Sequence, residues 1–335
     1  MRVSVIVLNM NGGEMVLDCL DSLTAQDRPA DELILVDNGS TDGSEKLVEE
    51  RYPEVRVVRL EENAGFTGGN NAGFRASTGD VVVLVNNDTI AEPDWLASLS
   101  QSIMEPGVGA VTSSMRAIDD ISVIDSAGGQ MDWLGYSWDE GKGMPASRFS
   151  RRREVTFPCG GAVALRREAL PFEDRIFNDD LFIYQEDLEL GLQMQRRGWK
   201  VTYDPDAAIR HILSATTGSG SYFKEHLCNR NRLMVLRRNM EPALFRRYAV
   251  PLVAWQLMWM AASLLRGRLT LFRGVAAGTW HGLRAPVVYD PRGRPLREVL
   301  LERAVFRKGR PWKIFQLWAR RVLAGWNGSR SAGTA

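Results

Sequence analysis

Two clusters of acidic and amide side chains are the residues of this sequence best suited to chemistry. Asn86, Asn87 and Asp88 follow the uninterrupted apolar run 81–85, and Glu186 and Asp187 begin a stretch in which leucines recur with helical spacing. A carboxylate flanked by amide carbonyls offers hard oxygen ligands, which suit Mg²⁺ or Mn²⁺ accompanied by phosphate oxygens. The same three residues also favour turns, so a turn that leaves a strand is an equally good interpretation of the first cluster alone.

The second cluster places a free carboxylate at the predicted start of a helix. Leu188 and Leu192 are four residues apart and share a helix face that docks the helix, whereas Asp187 is not on that stripe. An exposed Asp187 could act as a general base. The alternative is a carboxylate that only interacts with the helix dipole, typically by ~0.3–1 kcal/mol.

The first half of the chain alternates short apolar runs with helix-like stretches. Strands are predicted at 4–8, 33–36, 55–60 and 81–85, with helices between them and short connections. This order is typical of an α/β fold with a mostly parallel sheet covered by helices on both faces. Because ligands bind at the carboxyl ends of such strands, Asn11, Asp37 and the segment 63–71 should share one rim with Asp88.

Several rim residues have both a binding and a structural interpretation. Asp37 could accept a hydrogen bond from a uracil or thymine ring, or it could close an Asx turn or cap the next helix. The glycines at 65, 68, 69 and 73 would allow backbone to approach a ligand closely. The sequence contains neither a GxGxxG fingerprint nor a GxxxxGK[ST] loop, so dinucleotide and P-loop folds are disfavoured.

The middle of the chain is predicted to be irregular over residues 113–153. Its aromatic residues could stack on a sugar or fill the core, with core packing slightly favoured. Gly160 and Gly161 would let backbone approach a substrate. A last strand is expected at 201–203, before His211.

Composition limits the class of protein. At 335 residues the chain suits one α/β domain plus an appended segment. Its three cysteines are widely spaced, which disfavours a disulfide framework or a zinc knuckle and fits a reducing compartment. The N-terminus runs directly into a predicted strand and lacks the features of a signal peptide, so secretion is not expected.

The net charge of +1 hides a strong asymmetry. Residues 1–223 hold 20 Lys/Arg and 36 Asp/Glu, a net charge of −16, whereas residues 224–335 hold 22 and 5, a net charge of +17. The apolar run 249–265 is 17 residues long and flanked by arginines. An amphipathic helix lying in a membrane interface is favoured over a spanning helix, which needs ~20 apolar residues. A helical appendage that packs on the catalytic domain or forms a homodimer is the alternative; nucleic acid is not expected, because no recognisable module accompanies the charge.

In six segments the sequence resembles the inverting family 2 glycosyltransferases of the GT-A fold, over about residues 1–240. The matching segments are 5–11, 36–42, 63–66 with Asn71, 86–88, 186–187, and His211. Together these segments, in the order and approximate spacing of the family, are a specific signal. Within the family, the pattern around 63–66 and 84–89 is most similar to rhamnosyltransferases and their galactofuranosyl relatives.

The resemblance implies roles for individual residues. Asp187 would be the catalytic base, and Asp88 with His211 would hold a divalent metal, Mg²⁺ or Mn²⁺, at the diphosphate. Asp37 would face the nucleotide base and Asn86 the ribose. The residues expected to bind the nucleotide-sugar are Asn9, Asn11, Asp37, Asn63, Gly65, Asn71, Asn86 and Asn87, and those expected on the acceptor side are Gly160, Gly161, Glu186 and Trp133.

Two departures from the family pattern qualify these roles. Asn86 stands where the DXD motif begins with Asp, so metal affinity would depend more heavily on Asp88. The QxxRW motif of processive synthases is missing, which favours the addition of one sugar or a few.

The predicted protein is a metal-dependent inverting glycosyltransferase with its catalytic domain at residues 1–223 and a basic helical region at 224–335. Within the catalytic domain, the nucleotide-binding half would span about 1–112 and the acceptor half about 113–223. It would move a sugar, rhamnose favoured, from a dTDP- or UDP-sugar to a lipid-linked or surface-glycan acceptor at the inner face of the cytoplasmic membrane. The alternatives are a sugar nucleotidyltransferase, disfavoured because its Gly-rich, Lys-containing N-terminal loop is missing, and a non-catalytic nucleotide-sugar-binding protein.

Overall fold

A computed structural model describes residues 1–132, 134–212 and 221–302. Trp133, which is predicted to lie on the acceptor side, is outside the described residues, as is the end of the basic region from residue 303.

The described chain contains twelve strands and nine α-helices. The strands are β1 (Val3–Asn9), β2 (Glu32–Asp37), β3 (Arg56–Arg59), β4 (Val81–Asn86), β5 (Thr89–Ala91), β6 (Val108–Ala117), β7 (Asp120–Ser126), β8 (Gly129–Met131), β9 (Ser137–Asp139), β10 (Arg153–Glu154), β11 (Ala162–Arg166) and β12 (Lys200–His211). The helices are α1 (Met15–Thr24), α2 (Ser44–Arg51), α3 (Gly65–Ala76), α4 (Trp95–Ser102), α5 (Glu186–Arg196), α6 (Tyr222–Asn239), α7 (Pro242–Leu265), α8 (Leu269–Arg284) and α9 (Leu296–Glu302).

One mixed sheet organises the first two thirds of the chain. Its order is β10-β12-β6-β11-β4-β1-β2-β3, with β5 and β7 paired to β12 and β6. Strands β3, β2, β1 and β4 are parallel, and β11 inserts antiparallel between β4 and β6. Residues 81–85 are buried in the centre of this sheet, because hydrophobic clusters cover both of its faces. The prediction of an α/β fold with a mostly parallel sheet is confirmed.

The prediction of an irregular segment at 113–153 was wrong. β6 continues to Ala117 and β7 returns beside it. The sequence of β6 contains Thr112, Ser113 and Ser114, which look like a loop but are buried and hydrogen-bonded: Ser113 accepts from the Trp95 indole at 2.9 Å, and the hydroxyls of Ser114 and Tyr203 are 2.9 Å apart.

The last strand is also longer than predicted. β12 runs to His211, past the prediction of 201–203, because the pairing with β6 shifts register between Tyr203 and Ala208 and then resumes. This irregularity accommodates Pro205, which cannot donate a ladder hydrogen bond.

Glycines of α3 serve packing. A Cβ on Gly73 would lie 2.5 Å from a methyl group of Ile6 and 2.8 Å from one of Val36, and a Cβ on Gly69 would overlap the side chain of Leu8. These two glycines therefore let the helix lie close on the sheet, where the sequence had suggested close approach to a ligand.

The C-terminal region is helical, as predicted, and its helices pack on the catalytic part of the chain. Leu233 to Leu236 of α6 share a hydrophobic cluster with Leu188 and Leu192 of α5. On α8, a Cβ on Gly274 would lie 2.7 Å from Glu225 Cβ, and one on Gly282 would lie 2.7 Å from the Arg230 carbonyl. Close contact between α6 and α8 therefore requires glycine.

Helix α7 is longer than the apolar run in the sequence. Among the described helices, it is the one whose length and composition would allow it to cross a membrane. Only 17% of its most apolar 18-residue stretch is buried inside the protein.

Candidate active site

The carboxyl ends of β1, β2 and β4 bring the predicted rim residues together. Asn9 pairs in register with Asp37 across the two strands, and Leu8 pairs with Asn86. The Asn87 amide donates to Asn9 Oδ1 at 2.7 Å, and Asn9 Nδ2 donates to Ser44 Oγ at 2.9 Å. Asn9 and Asn87 therefore join the ends of β1 and β4 to the start of α2.

Asn11 and Asp37 shape the loop 38–43 beside this rim. Asn11 adopts a left-handed backbone with φ 53°, and its Oδ1 accepts from the Thr41 N–H at 2.8 Å. Asp37 Oδ1 accepts from the Ser40 N–H at 3.1 Å, which is the local turn bond that the sequence had left open as an alternative. Contact between Asp37 and a nucleotide base stays a prediction.

Asn63, Gly65 and Asn71 fix the start of α3 and its neighbour loop. Asn63 Oδ1 accepts from the Gly65 N–H at 2.8 Å, and Gly65 has a positive φ of 75°. Asn71 is fully buried, accepts from the N–H groups of Ile176 and Phe177 at 2.9 and 3.0 Å, and donates to the Phe177 carbonyl at 2.9 Å. The predicted contact of Asn71 with the nucleotide-sugar would require these bonds to break.

Asp88 and His211 meet, as the metal-site prediction requires. β5 pairs with β12, and His211 Nε2 lies 3.3 Å from Asp88 Oδ2. On its other side, His211 Nδ1 lies 2.7 Å from Asp125 Oδ2, and Asp125 Oδ1 accepts from Lys142 Nζ at 2.8 Å. Burial lowers the pKa of His211, but the hydrogen bonds to Asp125 and Asp88 outweigh burial and raise it to about 9.

This pair fits a divalent cation that arrives with phosphate oxygens. Asp88 Oδ1 is buried and has no hydrogen-bond partner, so one hard oxygen lone pair is available. Within the described residues, no group of three or more His, Cys, Asp and Glu side chains is arranged to hold a metal alone. Mg²⁺ and similar ions are commonly held by one or two protein groups, with substrate phosphates and water as the other ligands.

Gly160 and Gly161 connect the rim to Asp187. Asn86 N–H donates to the Gly161 carbonyl at 2.9 Å, and a Cβ on Gly161 would lie 3.2 Å from Asn86 Nδ2. A Cβ on Gly160 would lie 3.8 Å from Asp187 Cβ. The end of β4, two residues before Asp88, and the start of α5, which carries Asp187, therefore border the same short segment.

Asp187 is suited to accept a proton near neutral pH. It is only partly exposed, and burial, followed by the nearby charge of Asp139, raises its pKa to about 7. Glu186 is buried, and burial together with the charge of Asp187 raises its pKa well above the ordinary value. Asp139 is itself in the electrostatic field of Lys142, Asp125 and His211, which links the two acidic clusters.

A strained loop presents Asp187. Phe182, Tyr184 and Gln185 all have positive φ, between 64° and 71°, immediately before α5. The Asn231 amide of α6 lies 2.8, 2.9 and 2.8 Å from the carbonyls of Leu181, Ile183 and Tyr184. Because left-handed non-glycine residues cost of order 1–3 kcal/mol each when the backbone is strained, the loop needs such external support.

Three residues of the site were missed at the level of sequence: Asp125, Asp139 and Asn231. The first two lie in the region predicted to be irregular, where the β-branched residues Ile121, Val123 and Ile124 were the available signal for a strand. Asn231 contacts the loop only through tertiary packing, and no local pattern marks it.

Two solved glycosyltransferases are similar to this chain in fold. The chain matches GalNAc-T7, described with UDP, GalNAc and Mn²⁺, with a TM-score of 0.59 and 18% identity over 74% of this chain and 50% of that one. It matches the mannosyltransferase PcManGT from Pyrobaculum calidifontis, described with GDP-Man and Mn²⁺, with a TM-score of 0.54 and 20% identity over 85% and 88% of the two chains. The fold is therefore the GT-A fold, with a mixed, mostly parallel sheet flanked by helices and with C-terminal helices.

The sequence identifies the family. Residues 4–171 match the model of Glycosyl transferase family 2, and the chain belongs to this family. A Mycobacterium tuberculosis protein named N-acetylglucosaminyl-diphospho-decaprenol L-rhamnosyltransferase is 29% identical over 64% of this chain and 77% of its own length. An N-acetylglucosaminyltransferase of Azorhizobium caulinodans is 27% identical over 68% of this chain, which spans 58% of that relative. The protein is a glycosyltransferase.

Proposed function

We propose that the protein transfers a sugar, with inversion, from a nucleotide-diphospho-sugar to a hydroxyl group of a lipid-linked glycan. The observation that carries the proposal is that Asn86, two residues before Asp88, bonds the Gly161 carbonyl while Gly160 borders Asp187, because displacement of a diphosphate needs a charge-stabilising group and a base in one cleft. Inversion follows from direct attack by the acceptor oxygen on the anomeric carbon.

Asp187 acts as the base. An alcohol is too weak an acid to attack unaided, so Asp187 takes its proton as the new bond forms, which is typically worth ~10²–10⁴ in rate. A pKa of about 7 leaves a substantial ionised fraction near neutrality and makes the carboxylate a stronger base than an ordinary Asp.

Asp88 and His211 would hold the divalent cation, Mg²⁺ or Mn²⁺, at the diphosphate, and the cation would take the place of the proton that the raised pKa of His211 favours. A bound cation neutralises negative charge on phosphate oxygens. Asp125 bonds the opposite ring nitrogen of His211 at 2.7 Å and so orients the imidazole toward Asp88, while Lys142 holds Asp125. Asn86 is the last residue of β4, and its side-chain amide lies beside Gly161. At this position a neutral amide can contact sugar hydroxyls.

The relatives support the choice of substrates. The Mycobacterium tuberculosis relative is named for transfer of L-rhamnose to N-acetylglucosaminyl-diphospho-decaprenol, so a dTDP- or UDP-sugar donor, rhamnose favoured, and a lipid-diphosphate acceptor are assigned here. The relatives named N-acetylglucosaminyltransferase support UDP-GlcNAc as the second donor to test.

The exposed apolar face of helix α7 supports association with the membrane surface. Val250, Leu257 and Leu265 expose 76%, 56% and 89% of their surface, which is unusual for one helix of a water-soluble domain. Arginines precede and follow the helix, and anionic headgroups attract basic residues by ~1 kcal/mol each near the surface. Peripheral association with the inner face of the cell membrane would bring Asp187 to a lipid-linked acceptor.

The test is a donor and acceptor panel with the full chain and Mn²⁺. The expected result is release of nucleoside diphosphate that depends on acceptor, from dTDP-rhamnose more than from UDP-GlcNAc. A protein that binds these donors but releases no nucleoside diphosphate with any acceptor would be a binding protein, and the proposal would fail.

A further inference from the structure

A cavity of about 280 Å³ lies where helices α6 and α7 meet the catalytic part of the chain. Its wall includes Tyr136 and Gln185 on the catalytic side, Cys228 and Arg232 on α6, and Trp255 and Trp259 on α7. None of these residues belongs to the donor-side rim or to the predicted metal pair.

Arg232 is a buried cation with incomplete pairing. It is 2% exposed, and its guanidinium lies 4.0 Å from the centre of the Tyr136 ring. Nη1 donates to the Leu134 carbonyl at 2.8 Å, but Nε and Nη2 are buried and have no hydrogen-bond partner. Among the described residues, no carboxylate oxygen therefore reaches Nε or Nη2 of Arg232. Since a buried guanidinium stays charged, each unused donor carries a desolvation penalty that an anion would offset.

The carboxyl groups near Arg232 leave its Nε and Nη2 without a hydrogen bond. Glu225 also lines the cavity, and burial raises its pKa, which favours the uncharged acid. Burial raises the pKa of Asp132 to about 6, so it is ionised at neutral pH, but its Oδ1 accepts from the N–H groups of Leu134 and Tyr136, both at 2.9 Å, and it makes no hydrogen bond to Arg232 Nε or Nη2.

The cavity lies beside the candidate base. Gln185 immediately precedes Glu186 and Asp187, and the side chains of Gln185 and Ser137 are hydrogen-bonded at 3.0 Å. Burial raises the pKa of Cys228 to about 12, with further contributions from Glu225, Glu186 and Asp187, which places the cavity wall within the electrostatic reach of Asp187.

A buried polar network holds α7 over the cavity. The Tyr136 hydroxyl and Gln256 Oε1 are 2.8 Å apart, and Gln256 Nε2 donates to Asn229 Oδ1 and Thr279 Oγ1, both at 2.9 Å. Gln256 is 1% exposed in a helix that is otherwise strongly apolar. The network fixes the rotation of α7, so that Trp255 and Trp259 face the cavity while Leu257 faces outward.

We propose that this cavity binds the phosphate group of the acceptor, with Arg232 as its anion ligand and the tryptophans of α7 beside it. The assignment to the acceptor rests on the proposed function. Guanidinium groups bind phosphate through two parallel hydrogen bonds, and Arg232 has two unused donors on one edge. The apolar outer surface of α7 then lies next to the lipid that the phosphate carries.

The first test is calorimetric titration of the full chain with inorganic pyrophosphate in EDTA, so that no cation loads the donor side. Pyrophosphate should bind to the wild-type chain, about tenfold or more weakly to Arg232→Gln, and with intermediate affinity to Arg232→Lys. The matched control is Arg237→Gln on the same helix, whose guanidinium donates to the Gly282 and Ala285 carbonyls away from the cavity and whose loss should leave binding unchanged. Two measurements verify that each variant folds: its thermal melting and its nucleotide binding in Mn²⁺.

No binding by the wild-type chain, or equal affinity in Arg232→Gln, would overturn the site. Binding that is lost in His211→Ala would assign the anion to the donor side and would also overturn it.

The second test separates the acceptor from a free anion. In the transfer assay, Arg232→Gln should raise the KM for a diphosphate-linked acceptor about tenfold or more and leave the donor KM unchanged. An unchanged KM for this acceptor would refute its assignment as the ligand. If the wild-type chain transfers no sugar at all, the proposed function fails, while the pyrophosphate titration still decides whether Arg232 binds an anion.

Discussion

At the scale of single residues, the environment of Asp187 determines the pH dependence of transfer. Burial and Asp139 raise its pKa to about 7, so the ionised base is lost as the pH falls through that value. We predict that kcat/KM is level above pH 8 and decreases about tenfold per pH unit below about pH 6.5, whereas an ordinary Asp would keep it level to about pH 5. Initial rates between pH 5 and pH 9 measure this profile.

Glu186 provides the matched control for that profile. Burial and the charge of Asp187 raise its pKa well above the ordinary value, so replacement by the neutral amide in Glu186→Gln should keep the shape of the profile. If the acid limb vanished in Glu186→Gln and persisted in Asp187→Asn, the roles of the two carboxyl groups would be reversed.

Individual site residues were predictable where family motifs and strand ends coincide. Asp88 and His211 are 123 positions apart in the sequence, yet the pairing of β5 with β12 puts His211 opposite Thr89 and within 3.3 Å of Asp88, as the motif order implied. Asp125 was not predictable, because its role is a contact with the far side of His211 that depends on the return of β7 beside β6. Asn71 carries the family motif, but its hydrogen bonds hold the loop 176–179.

At the scale of elements, α6 supports the loop that presents Asp187. Asn231→Ala removes the side-chain amide that bonds three backbone carbonyls of this loop. We therefore predict a decrease in the free energy of unfolding of about 1–3 kcal/mol. The left-handed residues before α5 would then relax, and kcat should decrease about tenfold or more at an unchanged donor KM.

Asn239→Ala is the comparison for this variant. Asn239 is equally buried on α6, but it donates to Val235 and Glu189 away from the loop. It should lower stability without lowering kcat. Equal effects of the two variants on kcat would mean that Asn231 has no specific role in positioning Asp187.

The contact between α5 and α6 includes one buried ion pair beside its hydrophobic cluster. Arg238 Nη1 lies 2.8 and 3.0 Å from the two carboxylate oxygens of Glu189, which is 2% exposed. Arg238→Ala would leave Glu189 buried without this partner, and urea unfolding should report a loss of about 3–5 kcal/mol. The double variant Arg238→Met with Glu189→Leu should recover most of this loss, because no unpaired charge remains. A single-variant loss below about 1 kcal/mol would show that the pair is effectively solvated.

Element types were predictable more reliably than element limits. The runs of Val, Ile and Leu in β1, β2 and β4 are unmistakable, because central strands are buried on both faces. β6 and β12 were missed or shortened because buried hydroxyl groups and an internal proline resemble a loop until their partners are known.

At the scale of the whole molecule, the charge division of the sequence corresponds to a catalytic part and a set of C-terminal helices. We predict that the full chain floats with liposomes that contain anionic lipid. Leu257→Glu with Leu265→Glu should weaken partition roughly tenfold or more, because both side chains are exposed on α7 and would lose their apolar contact with the bilayer.

Met104→Glu with Ile121→Glu is the control for flotation, since these side chains are exposed at 55% and 41% outside the helical region. This pair should leave flotation unchanged. If the α7 variant floated as well as the wild-type chain, the exposed face of α7 would not be the membrane contact.

The separate roles of Asp88 in cation binding and Asp187 in proton transfer are tested most directly by measuring both nucleotide binding and sugar transfer in Asp88→Ala and in Asp187→Asn. Asp187→Asn should abolish transfer while its affinity for the nucleoside diphosphate in Mn²⁺ stays within about twofold of wild type. Asp88→Ala should lose the Mn²⁺-dependent part of nucleotide binding. Near-normal turnover by Asp187→Asn, or Mn²⁺-dependent binding that survives in Asp88→Ala, would contradict the account.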